Sequence, residues 1–307
     1  MTNYRDALLF LALAAVWGSA FVAIKAGLRA GFEPVLFAAV RYDIAGVVML
    51  AYAAHVTDQW RPHSRADWTA VGIAAVFMIA AYHALLFVGE TSPDVSSAAA
   101  AVLVSLSPVL TTGFARAFLP SERLSVVGVL GLLLGLVGVV VLSDPNLSNL
   151  LGESTVGELL VFLAAACFAL GSVLTQRVDD DLSIETLEAW AMILGAGLMH
   201  VVSLGAGETQ SIPLDGDALW ALAYLSLAAS AVGFLIYFQL LDRLGAIEIN
   251  LVSYVAPVFA AVGGLYVTNE PVTPNVVVGF VVIFAGFCLL KRRALADELG
   301  KVRATWA

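Results

Sequence analysis

The stretch Ser105-Leu-Ser-Pro108-Val109 has a counterpart in the second half of the chain, Ser253-Tyr-Val-Ala-Pro257-Val258. Each stretch places a proline inside a long apolar run, and each is followed at the next turn by an acidic residue, Glu122 and Glu270 respectively. Proline is unusual inside an apolar helix, because it removes a backbone donor and kinks the helix. Matching prolines in matching surroundings therefore indicate an internal duplication.

Further residues recur at offsets of 148 and 151 positions, and they extend the duplication over most of the chain. The offsets predict two homologous units, residues 1–145 and 150–293, followed by a cytoplasmic tail, 294–307. The recurring elements are Gly131 and Gly138 with Gly279 and Gly286, and Ala14-Ala-Val-Trp17 with Ala165-Ala-Cys-Phe168.

The composition places both units in a membrane. Of the 307 residues, 61% are hydrophobic and only 13% are charged, whereas a soluble domain has about 45–50% apolar and about 25% charged residues. A net charge of −9 and the lack of any Lys/Arg-rich stretch exclude a nucleic-acid-binding protein. The chain is therefore expected in the lipid bilayer rather than among soluble enzymes.

Apolar runs long enough to cross a bilayer core of about 30 Å, which takes about 20 residues each, occur ten times. The fold class is thus an all-α membrane protein with ten transmembrane helices. The predicted spans are 6–28, 34–54, 67–88, 95–118, 124–142, 155–176, 184–204, 217–240, 246–268 and 275–292.

The distribution of Lys and Arg predicts the orientation. With a cytoplasmic N-terminus, the inside segments hold twelve cations and the outside loops hold only Arg29, as the positive-inside rule requires. Both termini are then cytoplasmic. Because each repeat has five spans, the two repeats have inverted topology, an arrangement typical of secondary transporters with a substrate site between the halves. A duplicated membrane scaffold without a transport role is the alternative.

Three motifs give the chain a family resemblance: Trp17-Gly-Ser-Ala-Phe-Val-Ala-Ile-Lys25, Pro34-Val-Leu-Phe-Ala-Ala-Val-Arg41, and the end of the fourth span at Glu122-Arg-Leu. Over about residues 7–292, the sequence resembles the EamA-type transporters of the drug/metabolite transporter superfamily. The resemblance implies a carrier that exports small metabolites or amino acids, with spans one, three, four, six, eight and nine around a central cavity. Members usually read Gly-Glu where this chain has Ser121-Glu122 and Asn269-Glu270.

Polar side chains inside spans are costly in lipid, so each is a candidate site residue. Helical spacing places them on three stripes that we expect to line the substrate cavity, although small residues also favour plain helix packing. The stripes are Asn250, Ser253, Tyr254 and Pro257 in span nine; Ser226, Ser230, Gly233 and Tyr237 in span eight; and Ala101, Ser105, Pro108 and Thr112 in span four.

The first repeat adds aromatic and ionisable candidates. Trp17 could stack on an apolar or aromatic substrate, and Lys25 could attract a substrate carboxylate. In the pair Tyr82-His83, His83 is a candidate for coupling transport to protons; ordinary packing and a hydrogen-bonded structural histidine are the alternatives. Arg41 is expected to have a structural role, binding carbonyls or an acid such as Glu33, Asp43 or Glu90.

Pro108 and Pro257 are predicted to act as paired hinges, with a static kink as the alternative. The small-xxx-small pattern Gly131-Leu-Leu-Leu-Gly135 predicts tight packing of spans five and ten, either within the molecule or in a homodimer. No Walker, HExxH or GxSxG motif occurs, so we expect no enzyme activity, no cofactor and no metal site. A membrane-embedded enzyme and a channel are the competing functions.

These observations together predict a multi-pass efflux carrier of the cell (plasma) membrane. Its expected partners are a small-molecule substrate, the lipid bilayer, and a proton or a counter-solute that drives the cycle; no nucleic acid is expected.

Overall fold

A computed structural model describes residues 4–118, 126–143, 153–244, 249, 252–290 and 292. These residues form helices and no strand, which confirms the all-helical prediction for the described part of the chain. The helices are α1 (Tyr4–Arg29), α2 (Pro34–Val56), α3 (Arg65–Gly89), α4 (Ser97–Val104 and Ser107–Phe118), α5 (Val126–Ser143), α6 (Glu153–Thr175), α7 (Ile184–Gly205), α8 (216–244), α9 (Val252–Thr268) and α10 (Pro274–Leu290).

Seven of the described helices are long and apolar enough to cross a membrane, and three shorter apolar helices accompany them, in α5, α9 and α10. Large apolar side chains such as Val140, Val201 and Val281 are exposed on the outside of the bundle. Such a surface suits lipid and not water. The chain is therefore a multi-pass membrane protein.

Helices at equivalent places in the two repeats pack side by side and run in opposite directions. Asp43 of α2 lies 2.7 Å from His200 of α7, whereas Thr57, at the other end of α2, lies 3.3 Å from Thr186, at the start of α7. As the residue number rises along α2, the number of its neighbour on α7 falls. The two helices are therefore antiparallel.

The helices α5 and α10 form a second antiparallel pair, and glycines make their interface. A Cβ atom added to Gly286 would lie 2.7 Å from the carbonyl oxygen of Gly131, and one added to Gly279 would lie 2.8 Å from that of Gly138. These distances are shorter than van der Waals contact, so the backbones can touch only because side chains are missing. The backbone of Gly131 and Gly135, the two glycines of the predicted small-xxx-small pattern, thus contacts Gly286 of the other repeat, whereas a Cβ added to Gly135 would meet Leu106 and Val109 of its own repeat.

The connections between helices gather at two ends of the bundle. At one end, called the Lys25 end, Lys25 contacts the loop 90–96, and Arg29 contacts the turn after α9. At the opposite end, called the Asp6 end, Arg243 contacts Asp6. Of the described connections, 30–33, 90–96, 206–215 and 269–273 lie at the Lys25 end, and 57–64 and 176–183 lie together at the opposite end.

The prolines of the repeated stretch affect their helices differently. α4 ends at Val104 and restarts at Ser107, and two serine hydroxyls bind carbonyls next to the break: Ser105 Oγ donates to Val102 O at 2.6 Å, and Ser107 Oγ to Val104 O at 2.7 Å. Pro257 instead lies inside a continuous helix. The two prolines therefore lie in different local structures, and in α4 side-chain hydroxyls bind the carbonyls next to the break. Their role as paired hinges stays a prediction.

Three helices contain π-helical segments. Those of α3, Ala74–Ala81, and α8, Tyr224–Val232, occupy equivalent places in the two repeats, and a third, Gly264–Thr268, ends α9. A π segment changes which side chains face inward, and it is frequent at functional sites. This is why helical spacing alone does not predict the inward faces of α3 and α8.

Asn269 closes α9 in a left-handed conformation, with φ 55°. Glycine adopts this conformation freely, and asparagine tolerates it. Asn269 can therefore occupy the position at which members of the family that the chain resembles usually have glycine. The turn directs Glu270 back into the bundle, where it is buried.

We expect Gly286→Ala to destabilise the protein by about 1–3 kcal/mol, because the added methyl group meets backbone atoms that cannot move aside. The exposed helical Gly197, whose added Cβ meets nothing within 4 Å, is the matched control: Gly197→Ala should be neutral or stabilising. Thermal unfolding in detergent measures both. Equal effects of the two substitutions would contradict the glycine interface between α5 and α10.

We expect Asn269→Ala to lower the free energy of unfolding by about 1 kcal/mol, because the left-handed conformation is unfavourable for alanine. Asn269→Gly, which adopts that conformation freely, should leave the unfolding temperature nearly unchanged. If glycine were as harmful as alanine, the side chain of Asn269, and not its backbone conformation, would be what the turn requires.

Candidate functional site

Trp17 lies halfway along α1 and reaches across to the second repeat. Its indole Nε1 donates a 3.0 Å hydrogen bond to the carbonyl oxygen of Ala229 in the π segment of α8. Its ring lies 5.9 Å from that of Phe234 and 5.5 Å from that of Tyr237. Gly233 makes the approach possible, since a Cβ there would lie 2.7 Å from Nε1. Trp17 and Tyr237 are thus brought together, as their predicted cavity roles require.

Arg41 also reaches α8, although the resemblance places its helix outside the cavity. It is 6% exposed, its Nε donates to Ser230 Oγ at 3.1 Å, and its guanidinium carbon lies 5.0 Å from the centre of the Tyr42 ring. Among the described residues it forms no ion pair with a carboxylate. The acids predicted as partners of Arg41 either bind other residues or do not contact it.

Two of those acids have donors of their own. Glu33 accepts from Thr209 at 2.9 Å, and Asp43 binds His200 at 2.7 Å. Arg41 instead pairs with a neutral hydroxyl, because the eighth residue of α2 lies beside the middle of α8. This leaves a cation inside the bundle whose charge no described acid neutralises directly.

His83 has both ring nitrogens bonded. Nδ1 lies 2.9 Å from the carbonyl oxygen of Ile79 and so donates to it, and Nε2 lies 2.7 Å from the hydroxyl of Tyr42, which then donates to Nε2. Both ring nitrogens thus have protein partners, as the alternative of a hydrogen-bonded structural histidine requires, and proton coupling by His83 stays a prediction. Its neighbour Tyr82 is partly buried and packs on Phe168 of α6, with 5.4 Å between ring centres.

Glu188 of α7 belongs to the same region, and the sequence reasoning missed it. It is buried and interacts electrostatically with Tyr42 and Tyr237, and within the described residues its carboxylate accepts no hydrogen bond. An acidic residue four positions inside a predicted span is the signal that could have found it. The group that we call the central site comprises Trp17, Arg41, Tyr42, His83, Glu188, Ser230 and Tyr237.

The candidates on α4 and α9 are placed differently. Ser105 Oγ is bonded within its own helix, and Thr112 Oγ1 donates to Pro108 O at 2.9 Å. Tyr254 packs between Phe284 and Phe287 of α10, with ring centres 5.4 and 4.5 Å away, so it does not reach the central site. Ser253 is partly buried, and Asn250 lies outside the described residues.

α9 presents a different stripe to the central site. Val252, Val255 and Phe259 pack in one apolar cluster with Trp17 and Tyr237. The predicted stripe of Ser253, Tyr254 and Pro257 therefore lies on a neighbouring face of the helix. Helical spacing indicates which residues of α9 share a face, but it does not indicate which of these faces meets α1.

Lys25 is buried, with 3% exposure, and its ammonium is fully occupied by the backbone. Nζ donates to the carbonyl oxygens of Glu90 at 2.8 Å, Ser92 at 2.6 Å and Val95 at 2.8 Å. A lysine has three donors, and all three are used here. In this conformation Lys25 holds the loop 90–96 and offers no free donor to a substrate carboxylate.

One turn further along α1, Arg29 joins the two repeats. It donates to Thr268 O at 2.6 Å and to Glu270 Oε1 at 3.3 Å. The other oxygen of Glu270 accepts from the backbone N–H of Ser97, at the start of α4, at 3.0 Å, where a negative charge also suits the helix dipole. The Lys25 end is thus closed by contacts among α1, α4 and the turn after α9.

A cavity of about 240 Å³ lies beside these contacts. Its walls are formed by the residues Lys25, Leu28, Arg29, Phe32, Glu90, Thr91 and Pro93.

At the Asp6 end, Arg243 Nη1 lies 2.9 Å from Asp6 Oδ1, so α1 is tied to the second repeat at both of its ends. Among the described residues, no group of three His, Cys, Asp or Glu side chains could hold a metal ion.

Comparison with known proteins identifies the family. The model of the EamA-like transporter family matches the chain twice, over residues 5–144 and 155–292. The "Uncharacterized transporter YoaV" of Bacillus subtilis (strain 168) is 25% identical over 88% of this chain and 91% of that protein. The "Uncharacterized inner membrane transporter YedA" of Escherichia coli (strain K12) is 27% identical over 84% of this chain and 81% of its own.

A solved crystal structure shares the fold. It matches with a TM-score of 0.63 over 95% of this chain and 99% of its own chain, at 23% sequence identity. Family, fold and apolar helices agree with one another. The chain belongs to the EamA-like transporter family and is a multi-pass transport protein of the plasma membrane.

Proposed function

We propose that the protein is a secondary active transporter with ten transmembrane helices in two inverted repeats of five, and with both termini in the cytoplasm. The antiparallel packing of α2 on α7 and of α5 on α10 supports the inversion, since equivalent helices of inverted repeats run in opposite directions. The distribution of the described connections between the Lys25 end and the opposite end is the one that this topology requires. The excess of Lys and Arg then assigns the Lys25 end to the outside.

The substrate binds at the central site and is a small metabolite or an amino acid that the carrier exports. The observation that carries this proposal is the meeting of Trp17 and Arg41 from one repeat with Ala229 and Ser230 from the other, halfway along α1 and α8. Polar groups are costly at this depth and mark the substrate path in membrane proteins. An aromatic ring, a guanidinium and a carboxylate suit a small solute with both apolar and charged parts.

Alternating access requires the contacts at one end to open while those at the other end close. In the present conformation, Lys25, Arg29 and Glu270 hold the Lys25 end together. The carrier cycle therefore includes a state in which these bonds are broken, driven by an ion gradient or by exchange of solutes.

The test of transport is reconstitution in liposomes loaded with radiolabelled amino acids and small metabolites. We expect efflux of at least one solute that depends on a pH gradient or on exchange with external solute, and that saturates with concentration. Non-saturating flux that ignores gradients would identify a channel. The lack of flux for every solute tested would contradict the transporter proposal.

For a solute that is transported, we expect Trp17→Phe to raise the half-saturation concentration about fivefold, corresponding to the loss of about 1 kcal/mol when the ring is no longer held by Ala229. The half-exposed Trp220 of α8 is the matched control, and Trp220→Phe should leave transport unchanged. Equal kinetics in both variants would place Trp17 outside the substrate path.

We expect Lys25→Met to release the loop 90–96, because the three carbonyls that the ammonium binds lose their donors. Amide hydrogen exchange of this loop in detergent should accelerate by tenfold or more, given that each bond to a charged group contributes about 1.5–3 kcal/mol. Exchange in the loop 206–215, which Lys25 does not contact, should stay the same. Unchanged exchange in the loop 90–96 would show that Lys25 does not hold it.

A further inference from the structure

The carboxyl group of Glu90 is buried without a partner. Glu90 follows α3 directly and is 0% exposed, and neither of its carboxyl oxygens has a hydrogen-bond partner. The other buried acids at the bundle ends differ from it: Glu270 accepts from Arg29 and from Ser97, and Asp6 accepts from Arg243.

The nearest cation cannot satisfy this carboxyl group. Lys25 is close enough to interact with it electrostatically, but its three donors are already used by the carbonyl oxygens of Glu90, Ser92 and Val95. A buried ionised carboxylate without a donor is costly, and such groups take up a proton instead.

The remaining charges around Glu90 do not supply a partner either. From α1 it faces Lys25 and Arg29, and the latter is committed to Thr268 and Glu270. Asp94 lies on its own loop and is exposed. α6 packs on this region through Gly157, and its nearest acid in sequence is Glu158. Burial raises the pKa of Glu90, the negative charge of Glu270 raises it further, and Lys25 opposes both effects.

A cavity that reaches exposed residues lies beside the buried Glu90. Glu90 lines the cavity of about 240 Å³, and the cavity wall also includes the exposed residues Arg29, Thr91 and Pro93. Glu90 has no exposed surface in this conformation, so its carboxyl group meets water in this cavity only when the contacts of the Lys25 end open.

We propose that Glu90 is a proton-binding site: its carboxyl group carries a proton while Lys25 holds the loop 90–96, and it releases that proton to water in the cavity when the Lys25 end opens. As the ionised form of Glu90 competes with the carbonyls of Ser92 and Val95 for the ammonium of Lys25, loss of the proton weakens the contacts that close this end. The further step, that this proton drives solute movement, rests on the proposed transporter function.

Proton binding is tested without any substrate, by thermal unfolding of the full-length protein in detergent between pH 5 and pH 9. A group that is protonated in the folded state and ionised in the unfolded state stabilises the fold at low pH, and this stabilisation is lost as the pH rises. We expect the unfolding temperature of the wild type to fall relative to that of Glu90→Gln, by roughly 3 °C per pH unit, because glutamine mimics the protonated acid.

Asp94→Asn is the matched control, since Asp94 lies exposed in the same loop; its curve should follow that of the wild type. Infrared spectra at neutral pH should show a protonated carboxyl band in the wild type and in Asp94→Asn that is lost in Glu90→Gln. If Glu90→Gln is less stable than the wild type throughout this range and the band is unchanged, Glu90 is ionised and paired with Lys25, and the proposal is overturned.

The coupling step is tested in liposomes with any solute that the wild type exports. Glu90→Gln should lose the dependence of efflux on a pH gradient, and Asp94→Asn should keep it. If Glu90→Gln keeps that dependence, Glu90 does not couple protons to transport. If the unfolding curves and spectra agree with a protonated Glu90 but no solute moves in the wild type, the proton site stands and the transporter proposal fails.

Discussion

A buried ammonium group needs acceptors for all its protons, and the way in which Lys25 meets this need organises the Lys25 end. With 3% of its surface exposed, it takes three carbonyl oxygens from the loop 90–96. This fixes the loop, and the loop fixes where α4 begins. The N-terminus of α4 in turn offers the backbone N–H of Ser97 to Glu270, whose second oxygen binds Arg29 on α1. One desolvated charge thus determines how three segments of the chain meet, because the buried ammonium of Lys25 has no water to replace its carbonyl partners.

The scaffold is nearly symmetric, but the charges on it are not. α2 and α7 begin 150 residues apart, at Pro34 and Ile184, and the π segments of α3 and α8 begin at Ala74 and Tyr224, again 150 apart. At that offset, Arg41 corresponds to Ala191 and His83 to Gly233. At these two positions the first repeat therefore has ionisable side chains and the second has small residues. The central site is accordingly asymmetric in charge, although the helices around it are arranged alike.

Several features of the fold follow from the sequence alone, because they depend on local pattern. Apolar runs and the internal repeat predict the helices, and the spaced glycines predict the contact between α5 and α10. Partners across elements are harder to predict, since spacing along a helix groups residues by face without saying which neighbour that face meets. Tyr254 illustrates this, because its ring packs against Phe284 and Phe287 of α10 and not against α1. For Arg41 the sequence predicts binding to carbonyls or to an acid, and its described partner is the hydroxyl of Ser230. The burial of Glu188 is not predictable from the sequence, because acidic residues near a span end are usually solvated.

The irregular helices show where movement between two states of a carrier would be absorbed. α1 is a continuous helix of 26 residues, bonded to the second repeat at both ends, and it therefore transmits displacement along its length rather than absorbing it. α4 is broken before Pro108, and α3 and α8 each contain a π segment in which the regular bonding register is interrupted. The π segment of α8 carries Ala229 and Ser230, the two residues that Trp17 and Arg41 bind. A change of register there would move both contacts of the central site at once. The segment in which the regular bonding is interrupted is therefore also the segment that holds the proposed substrate site together.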